Sequence, residues 1–162
     1  MRNIQKTGEE GIPLIRELTF QVWPQTYAGI LSPQQIGYML EMMYSPGSLQ
    51  QQMAEGAQFI ILYEENTPVG FASYQQLEQA IYKLHKIYVL PSQQGKGSGK
   101  YIIEWIEAEI RPLGAQFLQL QVNKYNKARS FYEKLGFTAV KAIVIDIGEG
   151  YFMDDYLMQK AL

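Results

Sequence analysis

Gln94-Gly95-Lys96-Gly97-Ser98-Gly99-Lys100 places three glycines within five positions. Without a Cβ, glycine lets backbone N–H groups come close to a ligand. The stretch that follows, Lys100–Ile110, reads as a helix, whose first turn offers free N–H groups and the positive end of its dipole. Such a turn suits a pyrophosphate, with Lys96 and Lys100 adding charge. Two better-known phosphate loops are excluded by spacing. The Walker A loop needs four residues between its glycines and then Lys-Ser/Thr, whereas here three residues separate Gly95 from Gly99 and Tyr101 follows the lysine. The GxGxxG pattern fails because Lys100 and Ile102 occupy the sixth positions counted from Gly95 and Gly97. Read alone, the turn is either an anion cradle or a flexible loop that binds nothing.

Groups able to move a proton are few. His85 is the single histidine, and its side chain has an ordinary pKa near neutrality. It stands in the run Ile81–Val89, which reads as a strand with Lys83, Ile87 and Val89 on the face of His85. It is either a proton carrier or a packed, hydrogen-bonded group. Tyr132 falls with Ala128, Phe131 and Leu135 at i, i+3, i+4 and i+7, the spacing of a helix core stripe. Glu41, Glu78, Asp154 and Asp155 are carboxylates able to receive a cationic amine. The ring faces of Tyr27, Tyr38, Tyr44, Tyr74 and Tyr88 could do the same. Asp146, within Ile143–Ile147, alternates poorly with its neighbours and is expected to be partly buried. There is no cysteine, which removes thiol nucleophiles and thiolate metal sites, and one histidine leaves no two-histidine metal site.

Positioning these groups requires a mixed α/β fold. A short strand at Arg2–Ile4 leads to a helix from Gly8 that Trp23-Pro24 should stop. A second helix starts at Ser32-Pro33 and runs from Gln34 to about Met43, ended by Ser45-Pro46-Gly47. A third helical piece covers Ser48–Glu55. Strands follow at Phe59–Tyr63, Val69–Gln76 (after a turn at Asn66-Thr67-Pro68) and Ile81–Val89. After the glycine turn and its helix come a strand at Phe117–Val122, a helix at Asn126–Lys134, and strands at Thr138–Ile147 and Asp155–Gln159. Strand, turn, helix and strand in succession imply a right-handed crossover and a parallel pair inside an otherwise antiparallel sheet, with helices on both faces.

The 162 residues fit one domain, taken as 1–162, and 47% hydrophobic content supplies a core. A formal net charge of −2, with no long basic cluster, argues against a nucleic-acid partner. No apolar stretch approaches a membrane span and the N-terminal residues lack a signal-peptide pattern, so a soluble cytoplasmic protein is expected. Its aromatics and methionines leave room for a homodimer.

Two segments together resemble a known family. Ile87-Tyr88-Val89-Leu90-Pro91 leading into Gln94-Gly95-Lys96-Gly97-Ser98-Gly99 is similar to the acetyl-coenzyme A signature of the GNAT N-acetyltransferases, Gln/Arg-x-x-Gly-x-Gly/Ala after a strand. About thirty residues on, Asn126–Phe137 resembles that family's second signature. The segments Trp23-x-x-x-Tyr27 and Ser32–Leu40 are similar to those of bacterial polyamine acetyltransferases. The resemblance implies the GNAT fold, with a splayed parallel strand pair, and acetyl-CoA as cosubstrate. It implies that the amides of Gln94, Gly95, Gly97 and Gly99, with Lys96, Ser98 and Lys100, hold the CoA pyrophosphate. Ile87, Tyr88 and Val89 would pair with the pantetheine arm as an added strand would, and Asn126 would reach the cofactor from the next helix. Tyr132 would sit beside the thioester sulfur and protonate the leaving thiolate, while His85 relays the amine proton. A strand amide near Tyr88–Val89 would stabilise the oxyanion. Direct attack in a ternary complex is expected, with a polyamine or other small primary amine as acceptor. The alternatives are a protein N-terminus or lysine, or a CoA-binding regulatory module without catalysis.

Overall fold

The computed structural model describes all 162 residues. Seven strands form one sheet in the order β1-β2-β3-β4-β5-β7-β6, and only the β4–β5 pair is parallel. The first four strands are β1 (Arg2–Thr7), β2 (Gln58–Glu64), β3 (Thr67–Glu78) and β4 (Ile81–Val89). The last three are β5 (Phe117–Asn123), β6 (Thr138–Gly148) and β7 (Tyr151–Ala161). Strand β2 shows how the sheet separates two cores. Phe59 and Ile61 enter a core built with helices α1 (Ile12–Tyr27), α2 (Pro33–Tyr44) and α3 (Pro46–Ala54), while Ile60 and Leu62 enter another. That second core is completed by α4 (Ser98–Ile110) and α5 (Ala128–Lys134) on the opposite face. Burial on both faces explains why β2 is a nearly continuous apolar run.

Several boundaries depart from the sequence expectation, each for a local reason. Helix α1 runs through Pro24 to Tyr27 instead of stopping at Trp23-Pro24. A proline inside a helix costs about 3 kcal/mol. Trp23 and Tyr27 are 1% and 9% exposed, and burying two such rings, about 1.5–3 kcal/mol each on the phenylalanine scale, offsets it. Ser45 caps α3 by accepting from the Ser48 N–H, so Pro46 opens that helix as well as following α2. The β2–β3 hairpin turns at Glu65 and Asn66, both with positive φ, which puts Pro68 inside β3 opposite Tyr63. Strand β7 begins at Tyr151, ahead of the expected Asp155, after a tight turn at Glu149-Gly150.

Two irregularities in β4 set up the site. Its parallel pairing covers only Ile81–Leu84 against Phe117–Leu120. Beyond that, β4 stays with β3 and β5 stays with β7, so the sheet opens between them. In addition, Ser73 pairs with Lys86 while Tyr74 pairs with Leu84, leaving His85 as the extra residue of a β-bulge. The bulge reverses the alternation. Tyr82 and Leu84 face the α4 core, and Ile87 and Val89 pack there too. Lys86 and Tyr88 turn instead toward the α1–α3 side. His85 therefore does not share a face with Ile87 and Val89, contrary to expectation. Asp146 is exposed, not partly buried, because β6 is an edge strand and turns Ile143, Ile145 and Ile147 inward. Its carboxylate accepts from the Gly148 N–H in the hairpin turn.

Candidate active site

Two cavities adjoin at the gap between β4 and β5 and share part of their lining. The larger, of about 1030 Å³, runs from the N-terminus of α4 past the open edge of β4 to α5. The smaller, of about 420 Å³, lies under α1–α3 and the β6–β7 hairpin. Tyr27, His85, Lys86, Tyr88 and Gln121 line both.

The glycine turn forms one end of the larger cavity. Gly95 and Gly97 have φ of 80° and 79°, a region only glycine adopts at little cost, and Gly97 is the N-cap of α4. The Gln94 N–H bonds to the Pro91 carbonyl, and the next amide with a backbone partner is that of Tyr101. The N–H groups in between are free, as at any helix start. Ser98 Oγ is buried there with no partner in the chain. An orphaned hydroxyl in a nest of free amides is the donor set an anion needs. Gln94, Ser98, Gly99 and Lys100 line the cavity with these glycines. Lys96 does not, because the turn directs it outward and its carbonyl accepts from the Arg2 guanidinium.

Along the cavity, Ile87, Tyr88 and Val89 pair with Ala72, Phe71 and Gly70 on one side only. Their other edge is free where β5 has departed, a ready partner for an extended ligand with amide groups. Asn126 lines the far wall, and its Oδ1 accepts from the Ala128 N–H at 2.9 Å to open α5. Tyr132 closes the inner part, 8% exposed, between Phe131 and Phe137 at ring distances of 5.3 and 5.9 Å. Burial, with a smaller effect from Tyr27, raises its pKa, so the hydroxyl keeps its proton at neutral pH. A long cleft with an anion cradle at one end and a free strand edge along its length fits a CoA thioester.

The smaller cavity is walled by Trp23, Met39, Met43, Ile145 and Met153, with polar groups at its sheet side. Two bonds hold the β6–β7 hairpin over it: Tyr38 Oη donates to the Ile147 carbonyl at 2.6 Å and Gln35 Nε2 to the Phe152 carbonyl at 2.7 Å. Tyr27 Oη and Tyr88 Oη lie 3.1 Å apart at the junction. His85 Nε2 is 3.0 Å from Gln75 Oε1. Desolvation, then repulsion from Lys83 and Lys86, lowers its pKa to about 4, so the imidazole is neutral at neutral pH. Desolvation, then Asp154, raises Asp155 to about 6 against the pull of Lys83 and Lys124.

Of the expected amine-binding carboxylates, only Asp155 reaches a cavity wall. Glu41 and Glu78 are exposed elsewhere, and Asp154 pairs with Lys124 at 2.8 Å. Of the five tyrosines, Tyr27 and Tyr88 line the site, Tyr44 and Tyr74 are core residues, and Tyr38 holds the hairpin. Sequence reasoning missed Lys86, which lines both cavities at 7% exposure. The signal was present in Leu84-His85-Lys86-Ile87, where two polar residues in succession break a period of two and mark the bulge.

The profile of the acetyltransferase (GNAT) domain matches residues 28–148. The chain is 36% identical to a ribosomal-protein-alanine N-acetyltransferase of Haemophilus influenzae over 110 residues, 67% of this chain and 70% of that one. It is 26% identical to a spermidine N(1)-acetyltransferase of Thermoplasma acidophilum over 140 residues, 83% of this chain and 86% of that one. Its fold is that of the PaiA N-acetyltransferase of Thermoplasma acidophilum, solved in complex with coenzyme A. The TM-score is 0.84 at 24% identity, over 100% of this chain and 99% of the other. No helix of the chain is long and apolar enough to cross a membrane.

Proposed function

Because the chain belongs to the GNAT acetyltransferase family and is an acetyl-CoA-dependent acyltransferase, we propose that it transfers acetyl directly to the primary amine of a small molecule held in the smaller cavity. The observation that carries this reading is the meeting of the two cavities at the β4–β5 gap. One side admits the thioester and the other the amine, so the two substrates meet there without a covalent enzyme intermediate. A chain without cysteine suits that route.

Each group then has a part. The free amides of the glycine turn and Ser98 Oγ bind the pyrophosphate, and Lys100 adds charge at the rim. The open edge of Ile87–Val89 aligns the pantetheine arm, and an amide of that edge stabilises the oxyanion. Tyr132, protonated and shielded from water, donates its proton to the departing thiolate. The amine must lose a proton of ordinary pKa near ~10. A neutral His85 beside Gln75 can relay it, although a group held near 4 is a weak resting base. Together the two cavities draw on residues from Val22 to Asp155, which supports reading 1–162 as one functional domain.

The hairpin bonds that roof the smaller cavity favour a small acceptor over a folded protein. The spermidine acetyltransferase relative supports a polyamine, but Lys83 and Lys86 in the wall repel a polycation. An acceptor screen with acetyl-CoA, reading free thiol across polyamines, amino acids, aminoglycosides and peptides, tests the reading. Amine-dependent thiol release is expected. Binding of acetyl-CoA without turnover on any amine would favour a regulatory CoA-binding module.

A further inference from the structure

Lys86 is a buried cation without a counter-ion. None of the eight ion pairs includes it, and its Nζ sits 4.6 Å from the centroid of the Tyr44 ring. A desolvated ring offers a cation modest attraction, while burying an unpaired ammonium costs several kcal/mol. Its cross-strand neighbour Ser73 adds another unsatisfied group, a buried Oγ with no partner. Of the two, only Lys86 lines the cavities, so it is the group a ligand can complete.

The other charged groups of the smaller cavity are placed differently. Lys83 Nζ donates to Gln121 Oε1 at 3.2 Å. Asp155 belongs to none of the eight ion pairs, and its charge acts on Lys83 rather than on Lys86. Glu55 lies at the exposed rim, where its Oε1 accepts from Gln51 Nε2 at 2.8 Å. His85 is neutral. Lys86 is thus the cation of this wall on which no carboxylate acts, and it lines both cavities where they adjoin.

We propose that Lys86 is the anion receptor of the acceptor cavity, and that the acceptor carries a carboxylate as well as the amine that is acetylated. This rests on the acetyl-transfer reading of the same site and narrows its substrate class to amino-acid-like molecules. A volume of about 420 Å³ accommodates a molecule of that size. Carboxylate at Lys86 leaves the amine directed along the wall shared by Tyr27 and Tyr88, toward the gap in the sheet.

Matched acceptors that differ by one carboxylate test it: L-ornithine and putrescine, L-lysine and cadaverine, L-phenylalanine and phenethylamine. The parent enzyme is expected to show a higher kcat/KM for the carboxylate-bearing member of at least one pair. Lys86→Met, which keeps length and apolar bulk, should collapse that ratio by at least about tenfold, and Lys86→Arg should restore part of it. Lys86→Gln serves if the methionine variant folds poorly. Equal or better turnover of the decarboxylated members overturns the proposal while leaving acetyl transfer intact. So does a Lys86→Met variant that lowers both members equally, since the lysine then acts on the amine proton. No turnover of any pair, with turnover of another amine in the acceptor screen, overturns this proposal alone; no turnover of any amine in that screen overturns the acetyl-transfer reading, and this proposal falls with it.

Discussion

The Phe131 ring lies against Gly99 so closely that a Cβ at Gly99 would sit 2.9 Å from Phe131 Cζ. Gly99 closes the glycine turn and Phe131 stands in the second signature about thirty residues later, so the two motifs are physically one contact. Gly99 is not a positive-φ residue; it is needed here for space.

Gly99→Ala should therefore destabilise the fold. Overpacking costs about 1–3 kcal/mol, partly offset by the roughly 0.5–1 kcal/mol that alanine gains in a helix. Thermal unfolding should show a lowered midpoint, with Gly99→Ala/Phe131→Leu recovering most of the loss. No recovery in the double variant would mean that the strain lies elsewhere.

Gly97 tests the cradle by a different route. An added Cβ there meets only the Arg2 guanidinium at 3.8 Å, so the obstacle is conformational, a φ of 79° that valine resists. Gly97→Val should stay folded yet lose at least about tenfold in acetyl-CoA affinity, the worth of a charge-assisted hydrogen bond. Unchanged affinity by calorimetric titration would remove the turn from the cofactor site.

Much of this arrangement was legible in the chain. The glycine turn, the parallel crossover and the helix carrying Tyr132 follow from turn chemistry and periodicity, and the structure has each of these elements where expected. The acceptor side was far less legible. Its wall depends on a single extra residue, His85, which redirects Lys86 and Tyr88, and on Pro24 remaining inside α1 so that Tyr27 reaches Tyr88. The second is a tertiary outcome in which burial of Trp23 and Tyr27 outweighs a local helix-breaking signal. The cavity roof has the same origin, since Tyr38 and Ile147 are far apart in sequence and nothing local pairs them.

The buried lysine makes a stability prediction with a definite sign. Desolvation, then Lys83, lowers Lys86 from 10.5 to about 8. Below pH 8 both folded and unfolded chains carry the proton and the burial cost is complete. Between about 8 and 10.5 the unfolded chain binds a proton that the folded chain does not, so this contribution to stability rises with pH. Lys86→Met should be more stable than the parent at pH 7, by about 3 kcal/mol, with the gap closing toward pH 10.5. Denaturant unfolding across that range checks it. A gap that stays constant with pH would show that the charge of Lys86 is not what burial penalises.

The most direct test of acetyl transfer at the β4–β5 gap is the single-turnover rate of Tyr132→Phe, with acetyl-CoA bound and a saturating amine. Removing one hydroxyl keeps the ring between Phe131 and Phe137 and leaves the cofactor cradle intact. General-acid catalysis contributes ~100- to ~10,000-fold, so the rate should fall at least ~100-fold with acetyl-CoA affinity nearly unchanged. A Tyr132→Phe enzyme that transfers acetyl at close to the parent rate would contradict the account, leaving Tyr132 as core packing and the thiolate protonated by another group.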